Sequence, residues 1–185
     1  MHDNFEINFS LKGFTSILIG AYIFTAGFLI KTILDGFLID DNPLGMLSAE
    51  IIEFIIIAIA FFVFLFSSFA LFFSGKRNAK KLHHKLWNRK TKTAFQKYVL
   101  GAIIIFTSLL LLLNQGFIDY LTPTFLGIYG VLLFLFKNNE RKNLLILSGL
   151  SVLLAVMCFL IPTYWYSSLS IIGIAHVAYG VVVKN

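Results

Sequence analysis

Apolar residues come in long unbroken runs, and charged residues fall between the runs rather than within them. Residues 13–30 carry no charge, nor do 54–75, 98–118 or 120–136. From Asn143 to Val183 there are 41 residues without a formal charge, too many for one ordinary span. Pro162, followed by Thr163 and Tyr164, divides that stretch. Proline lacks a backbone donor and turns the preceding residue away from helix, so a turn belongs there. A membrane-crossing helix needs roughly 20 apolar residues, since the hydrocarbon core is about 30 Å thick and each residue rises about 1.5 Å. The pattern therefore predicts six spans, near 12–34, 51–74, 97–117, 120–136, 143–161 and 164–183. The rival is a transmembrane β-barrel, which requires strands of about ten residues with alternating polarity. Continuous runs such as Leu109–Leu113 and Ile55–Ile57 do not alternate. The expected fold class is all-α: a polytopic helix bundle.

Composition removes the soluble alternative. Of 185 residues, 58% are hydrophobic and 13% charged, and the mean hydropathy is +0.87. Soluble domains carry about 25% charged residues and about 45–50% apolar ones. A soluble fold of this size has too little interior for that apolar surface, so lipid is the expected solvent. The spans use nearly the whole chain, which predicts one membrane domain over 1–185. The single cysteine, Cys158, excludes an internal disulfide. The start, Met1-His2-Asp3, has neither the basic region nor the cleavage site of a signal peptide, so the first span is expected to be retained.

The net charge of +6 changes meaning once it is mapped. Nine of the fifteen Lys and Arg lie together: Lys76, Arg77, Lys80, Lys81, Lys85, Arg89, Lys90, Lys92 and Lys97. Topology explains this better than nucleic acid does. Basic loops stay in the cytoplasm. Lys137, Arg141, Lys142 and Lys184 fall on the same side, whereas Asp35, Asp40, Asp41, Glu50, Glu53 and Asp119 fall on the other. Three hairpins are predicted, with both termini and a basic loop, 75–96, in the cytoplasm. The expected location is a bacterial inner membrane, crossed several times. Lys31 lies four residues before Asp35, as a local helical ion pair requires. The stretch Asn78–Gln96 has no Gly or Pro, and Ala79, Leu82 and Leu86 recur at helical spacing beside Trp87. That predicts an amphipathic helix lying on the inner leaflet, its cations from Lys76 to Lys92 meeting anionic lipid headgroups or a partner.

Hairpins of one orientation invite a search for repeats. Gly101 precedes Gly127 and Gly130 in the second hairpin, Gly149 precedes Gly173 in the third, and both hairpins close on Lys-Asn (Lys137-Asn138 and Lys184-Asn185). On these glycines, residues 97–185 resemble the HdeD-like family of small six-span bacterial inner-membrane proteins. The first hairpin departs from the family's pattern, with a long outer loop and a phenylalanine-rich second span. The resemblance implies a six-span fold and a link to acid-stress tolerance, and brings no catalytic residues.

Few side chains offer chemistry. His176 lies mid-span, where an ionisable group is a candidate functional site. Gly173 and Gly180 flank it and Tyr179 lies one turn on. Asn114 and Gln115 end the third span, either beside His176 or as interfacial caps. The competing reading of His176 is a neutral ring bonded to a hydroxyl or carbonyl of another helix, and that reading is favoured. Ser67-Ser68 and Thr107-Ser108 read as hydroxyls bonded within their helices or to neighbours. Ser16 and Gly20, Ala21 and Thr25, and Ser151 and Ala155 read as small-residue helix contacts. Asp40, Asp41, Glu50 and Glu53 form an outer acidic group that matches no calcium-loop spacing. The remaining histidines, His2, His83 and His84, form no ligand set. No catalytic residue, metal site or cofactor is expected. The predicted function is a non-enzymatic membrane protein, either an accessory or structural subunit or an HdeD-like stress protein, standing alone, as a homo-oligomer or with a membrane partner. The alternative is a small transporter or channel with a polar path near His176.

Overall fold

The computed structural model describes residues 11–38, 45, 47–81, 83, 86–87, 89–135 and 144–183. Of the described residues 91% are helical and none lies in a strand, which disposes of the barrel. Six helices follow in order: α1 Phe14–Phe37, α2 Ala49–Lys81, α3 Arg89–Asn114, α4 Leu121–Leu135, α5 Leu144–Leu160 and α6 Trp165–Val182. Short 3-10 turns, Ile118–Tyr120 and Pro162–Tyr164, lead into α4 and α6. Counted with these turns, five helical segments are long and apolar enough to cross a membrane, and α5 adds a shorter apolar helix of 17 residues.

Local chemistry explains the breaks. Gly116 adopts φ +76° after α3, a left-handed conformation that glycine takes without steric cost. There the Gly116 N–H donates to the Leu113 carbonyl and the Phe117 N–H to that of Leu112, each at 2.9 Å, so the last turn of α3 is closed. Pro162 opens the turn between α5 and α6, where the sequence placed it. The Lys31–Asp35 ion pair forms on α1 as its spacing predicts, half-exposed and therefore worth only a few tenths of a kcal/mol.

One expectation fails. No separate helix spans 78–96: α2 continues to Lys81, the chain turns at His83 with φ 51°, and α3 begins at Arg89. Continuing two existing helices keeps the backbone hydrogen-bonded without a new nucleus, and nucleation is the costly step. The turn was hidden because a histidine, not glycine or asparagine, takes the left-handed position. At 33 residues α2 is about 50 Å long and α3, at 26, about 39 Å, both longer than a hydrocarbon core of about 30 Å.

The chain divides into two compact units. The central unit comprises Phe73–Ser168. Its core is the antiparallel pair α4–α5. Leu126, Gly130 and Leu133 face Leu144, Ser148, Ser151, Ala155 and Cys158, a three-four spacing on both helices. Ser148 Oγ donates to the Gly130 carbonyl and Ser151 Oγ to that of Leu126, each at 2.7 Å. Such bonds between apolar helices average about 0.6 kcal/mol, so close packing must supply the rest. Two neighbouring glycines test this. A Cβ on Gly130 would lie 2.8 Å from Val152 Cγ2 and 3.1 Å from the Ser148 carbonyl, whereas one on Gly149 meets nothing within 4 Å. We expect Gly130→Ala to cost roughly 1–3 kcal/mol. Gly149→Ala should be neutral or gain up to about 1 kcal/mol from helix propensity. Thermal unfolding in detergent reads the difference.

The terminal unit comprises Leu11–Phe72 and Leu169–Asn185, so it joins the first helix to the last. α1 and α6 run antiparallel: Gly27 meets Leu169, Gly20 meets Gly173 and Gly180 meets Gly13. At one end the Gly13 N–H donates to the Val183 carbonyl at 2.9 Å. Much of the phenylalanine of α2 is exposed, with Phe54, Phe61, Phe62, Phe66 and Phe69 on its surface, while Phe66 also packs on Tyr22 of α1 with centroids 5.8 Å apart.

Candidate functional site

In the terminal unit, the glycines of α1 and α6 bring His176 against Ser16. Gly13, Gly20 and Gly27 recur every seven residues on α1, and Gly173 and Gly180 do so on α6. That period keeps one stripe of each helix on the other. With no side chains in the way, the backbones approach so closely that a Cβ on Gly20 would fall 2.4 Å from the Gly173 carbonyl oxygen. His176 and Ser16 sit within this stripe, both fully buried. Ser16 Oγ lies 3.1 Å from His176 Nδ1 and 2.9 Å from the His176 carbonyl oxygen. A hydroxyl has one proton to give. If it goes to the carbonyl, Nδ1 must donate its own proton to Oγ, which fixes the ring tautomer with hydrogen on Nδ1.

The residues of the predicted polar site belong to both units. Tyr179 is buried in the same unit as His176. Asn114 and Gln115 belong to the central unit, where they are exposed at the end of α3. Ser68 Oγ donates to the Phe64 carbonyl of its own helix at 2.8 Å, as the sequence reading held. Among the described residues no three His, Cys, Asp or Glu side chains come close enough to hold a metal ion. Glu50 and Glu53 stand at the start of α2, whereas Asp40 and Asp41 lie outside the described residues.

The second candidate is the cationic end of α2 and α3, in the central unit. Gly75 and Ala79 of α2 and Thr91 and Ala94 of α3 are buried. Lys76, Arg77, Lys80, Lys81, Lys92 and Lys97 are exposed on the same segments. Trp87 packs edge-on against Phe95 with centroids 5.4 Å apart, which ties the connection to α3. Arg89 and Lys90 occupy the first turn of α3, and Lys85 lies outside the described residues. The two helix ends thus form a basic projection beyond the apolar segments. It carries the charge assigned to a surface-lying helix, in a different form.

Sequence reasoning missed the seam of α1. It noticed Ser16 with Gly20 but not the seven-residue recurrence of Gly13, Gly20 and Gly27, which was the available signal. No family model, curated protein or solved structure matches the chain.

Proposed function

We propose that this chain is a non-enzymatic structural or accessory component of a membrane. In this reading six helices cross the bilayer, with both ends and the basic projection on the cytoplasmic side. The crossing count rests on the α1–α6 pair. Antiparallel first and last helices fit an even number of crossings, and in this reading α5 is the sixth. Its 17 residues fall at the short end of the spanning range. The cations of the projection and the positive-inside rule supply the orientation. A bacterial inner membrane is the compartment this reading favours, and the HdeD-like family remains the one that the hairpin glycines resemble.

The observation that carries the structural role is how three of the buried polar groups are used. His176 with Ser16, Ser148 with Gly130 and Ser151 with Leu126 each join one helix to another. Groups engaged in this way hold a bundle together. A transporter reading needs them turned toward a path, and the His176–Ser16 geometry favours packing over conduction. The projection then supplies the contact with anionic lipid or an acidic partner, each cation near such a surface contributing on the order of 1 kcal/mol.

Native mass spectrometry after mild-detergent extraction tests this. The wild type should emerge with a stoichiometric membrane partner or as a homo-oligomer. Changing Lys76, Arg77, Lys80 and Lys81 together to glutamine should reduce the assembly or its anionic lipid at least several-fold. Saturable solute flux in proteoliposomes, lost in His176→Gln, would overturn the reading.

A further inference from the structure

We infer that the groove between α3 and α4 is a binding site for one acyl chain of an anionic phospholipid, whose phosphate pairs with Lys97. The inference rests on the membrane orientation proposed above. The groove has a volume of about 430 Å³ and is lined by Gly101 and Ile104 of α3 and by Thr124, Ile128, Val131 and Leu135 of α4. Apart from the Thr124 hydroxyl these are apolar, and Ile104, Val131 and Leu135 are exposed.

Its dimensions select the occupant. From Thr124 to Leu135 the lining residues run along one face of α4 over eleven residues, about 16 Å. Half a hydrocarbon core is about 15 Å, the depth of one leaflet's chains. The apolar lining and this length match one acyl chain lying along α4.

Charge selects the headgroup. Gly101 lies at the end of the groove nearest the basic projection, and Lys97 stands four residues earlier, one helical turn away on the same face. Lys97 is exposed and is the last cation before the uncharged stretch of α3, which places it at headgroup depth in the proposed orientation. From Lys76 to Lys97 the sequence itself holds no acidic residue. A basic site at the cytoplasmic end of a cleft between membrane helices is the arrangement that recognises anionic headgroups.

The test places the full chain in nanodiscs of equal parts dioleoyl phosphatidylglycerol and dioleoyl phosphatidylcholine. It then counts the lipids retained in native mass spectra after transfer to detergent. The wild type should keep one phosphatidylglycerol, at least five-fold over phosphatidylcholine. Lys97→Gln should keep a lipid but lose the preference. Val131→Trp, which fills the groove from an exposed position, should lose the lipid altogether, and Ile104→Trp should do the same from the α3 side. Val156→Trp, a change of the same size on exposed α5, should match the wild type. Full retention in both groove-filled variants would overturn the proposal, as would a wild type without the preference. If the preference persists in them and vanishes only when Lys76, Arg77, Lys80 and Lys81 are neutralised, the groove fails while the basic projection stands.

Discussion

Replacing Gly20 with alanine should disrupt the pairing of α1 with α6, and replacing it with leucine should leave little folded protein to purify. The alanine Cβ would sit 2.4 Å from the Gly173 carbonyl oxygen, 2.8 Å from His176 Cβ and 2.9 Å from the Val177 nitrogen. Two of those atoms are backbone and cannot rotate away. The helices must separate, which also stretches the Ser16–His176 contacts. The cost belongs at or above the upper end of the roughly 1–3 kcal/mol typical of overpacking. The same geometry ranks the neighbours. Gly180→Ala and Gly173→Ala meet backbone oxygens at 2.6 and 2.9 Å and should be severe. Gly27→Ala first meets a side-chain carbon, Leu169 Cβ, at 3.3 Å and should be mild. Thermal unfolding of the series in one detergent checks the order. A Gly20→Ala protein as stable as Gly27→Ala would mean that the seam is not formed as described.

The second large effect concerns His176. Changing it to alanine removes a fully buried ring and leaves a cavity, which should cost on the order of 2–5 kcal/mol. Ser16→Ala removes less volume but takes away both hydroxyl contacts, leaving Nδ1 without that partner. An unsatisfied buried donor costs about 1–3 kcal/mol, and measured hydrogen bonds between membrane helices fall lower, near 0.6 and up to about 1.7 kcal/mol. Because each single change breaks the same bond, the double variant should cost less than the two added together. A double-mutant cycle in mixed micelles reads that coupling, with about 0.5 kcal/mol or more expected. Strict additivity would show that the pair contributes nothing jointly. A wild-type stability for His176→Ala would remove the packing role and return the histidine to the candidates for conduction.

Helix existence was legible because apolar run length is a property of the chain alone. Five of the helical segments are long and apolar enough to cross a membrane, and Pro162 divides the last long run as predicted. Helix ends were less legible. The turn at His83 has neither glycine nor proline, so nothing local marked the end of α2. The missing piece at the candidate site was partnership. His176 and Ser16 are 160 residues apart, and only the packing of α1 on α6 brings them together. The hydroxyl-bonded reading of His176 named the kind of partner without being able to name Ser16. Ser151 was read as a helix contact, but its acceptor on α4 and the bond made by Ser148 were hidden for the same reason, since a mid-helix serine bonded to its own helix has the same sequence as one bonded to a neighbour.

Cysteine accessibility tests whether the helices cross six times, with the basic projection and both ends on one side. Cys158 is buried and is the only cysteine, so Cys158→Ala gives a clean background. Single changes His83→Cys, Asp119→Cys, Thr163→Cys and Lys184→Cys are then probed with a membrane-impermeant maleimide on intact and on permeabilised cells. The account predicts that D119C and T163C label from outside, and that H83C and K184C label only after permeabilisation. Labelling of H83C and D119C from the same side, or of H83C and K184C from opposite sides, would contradict it.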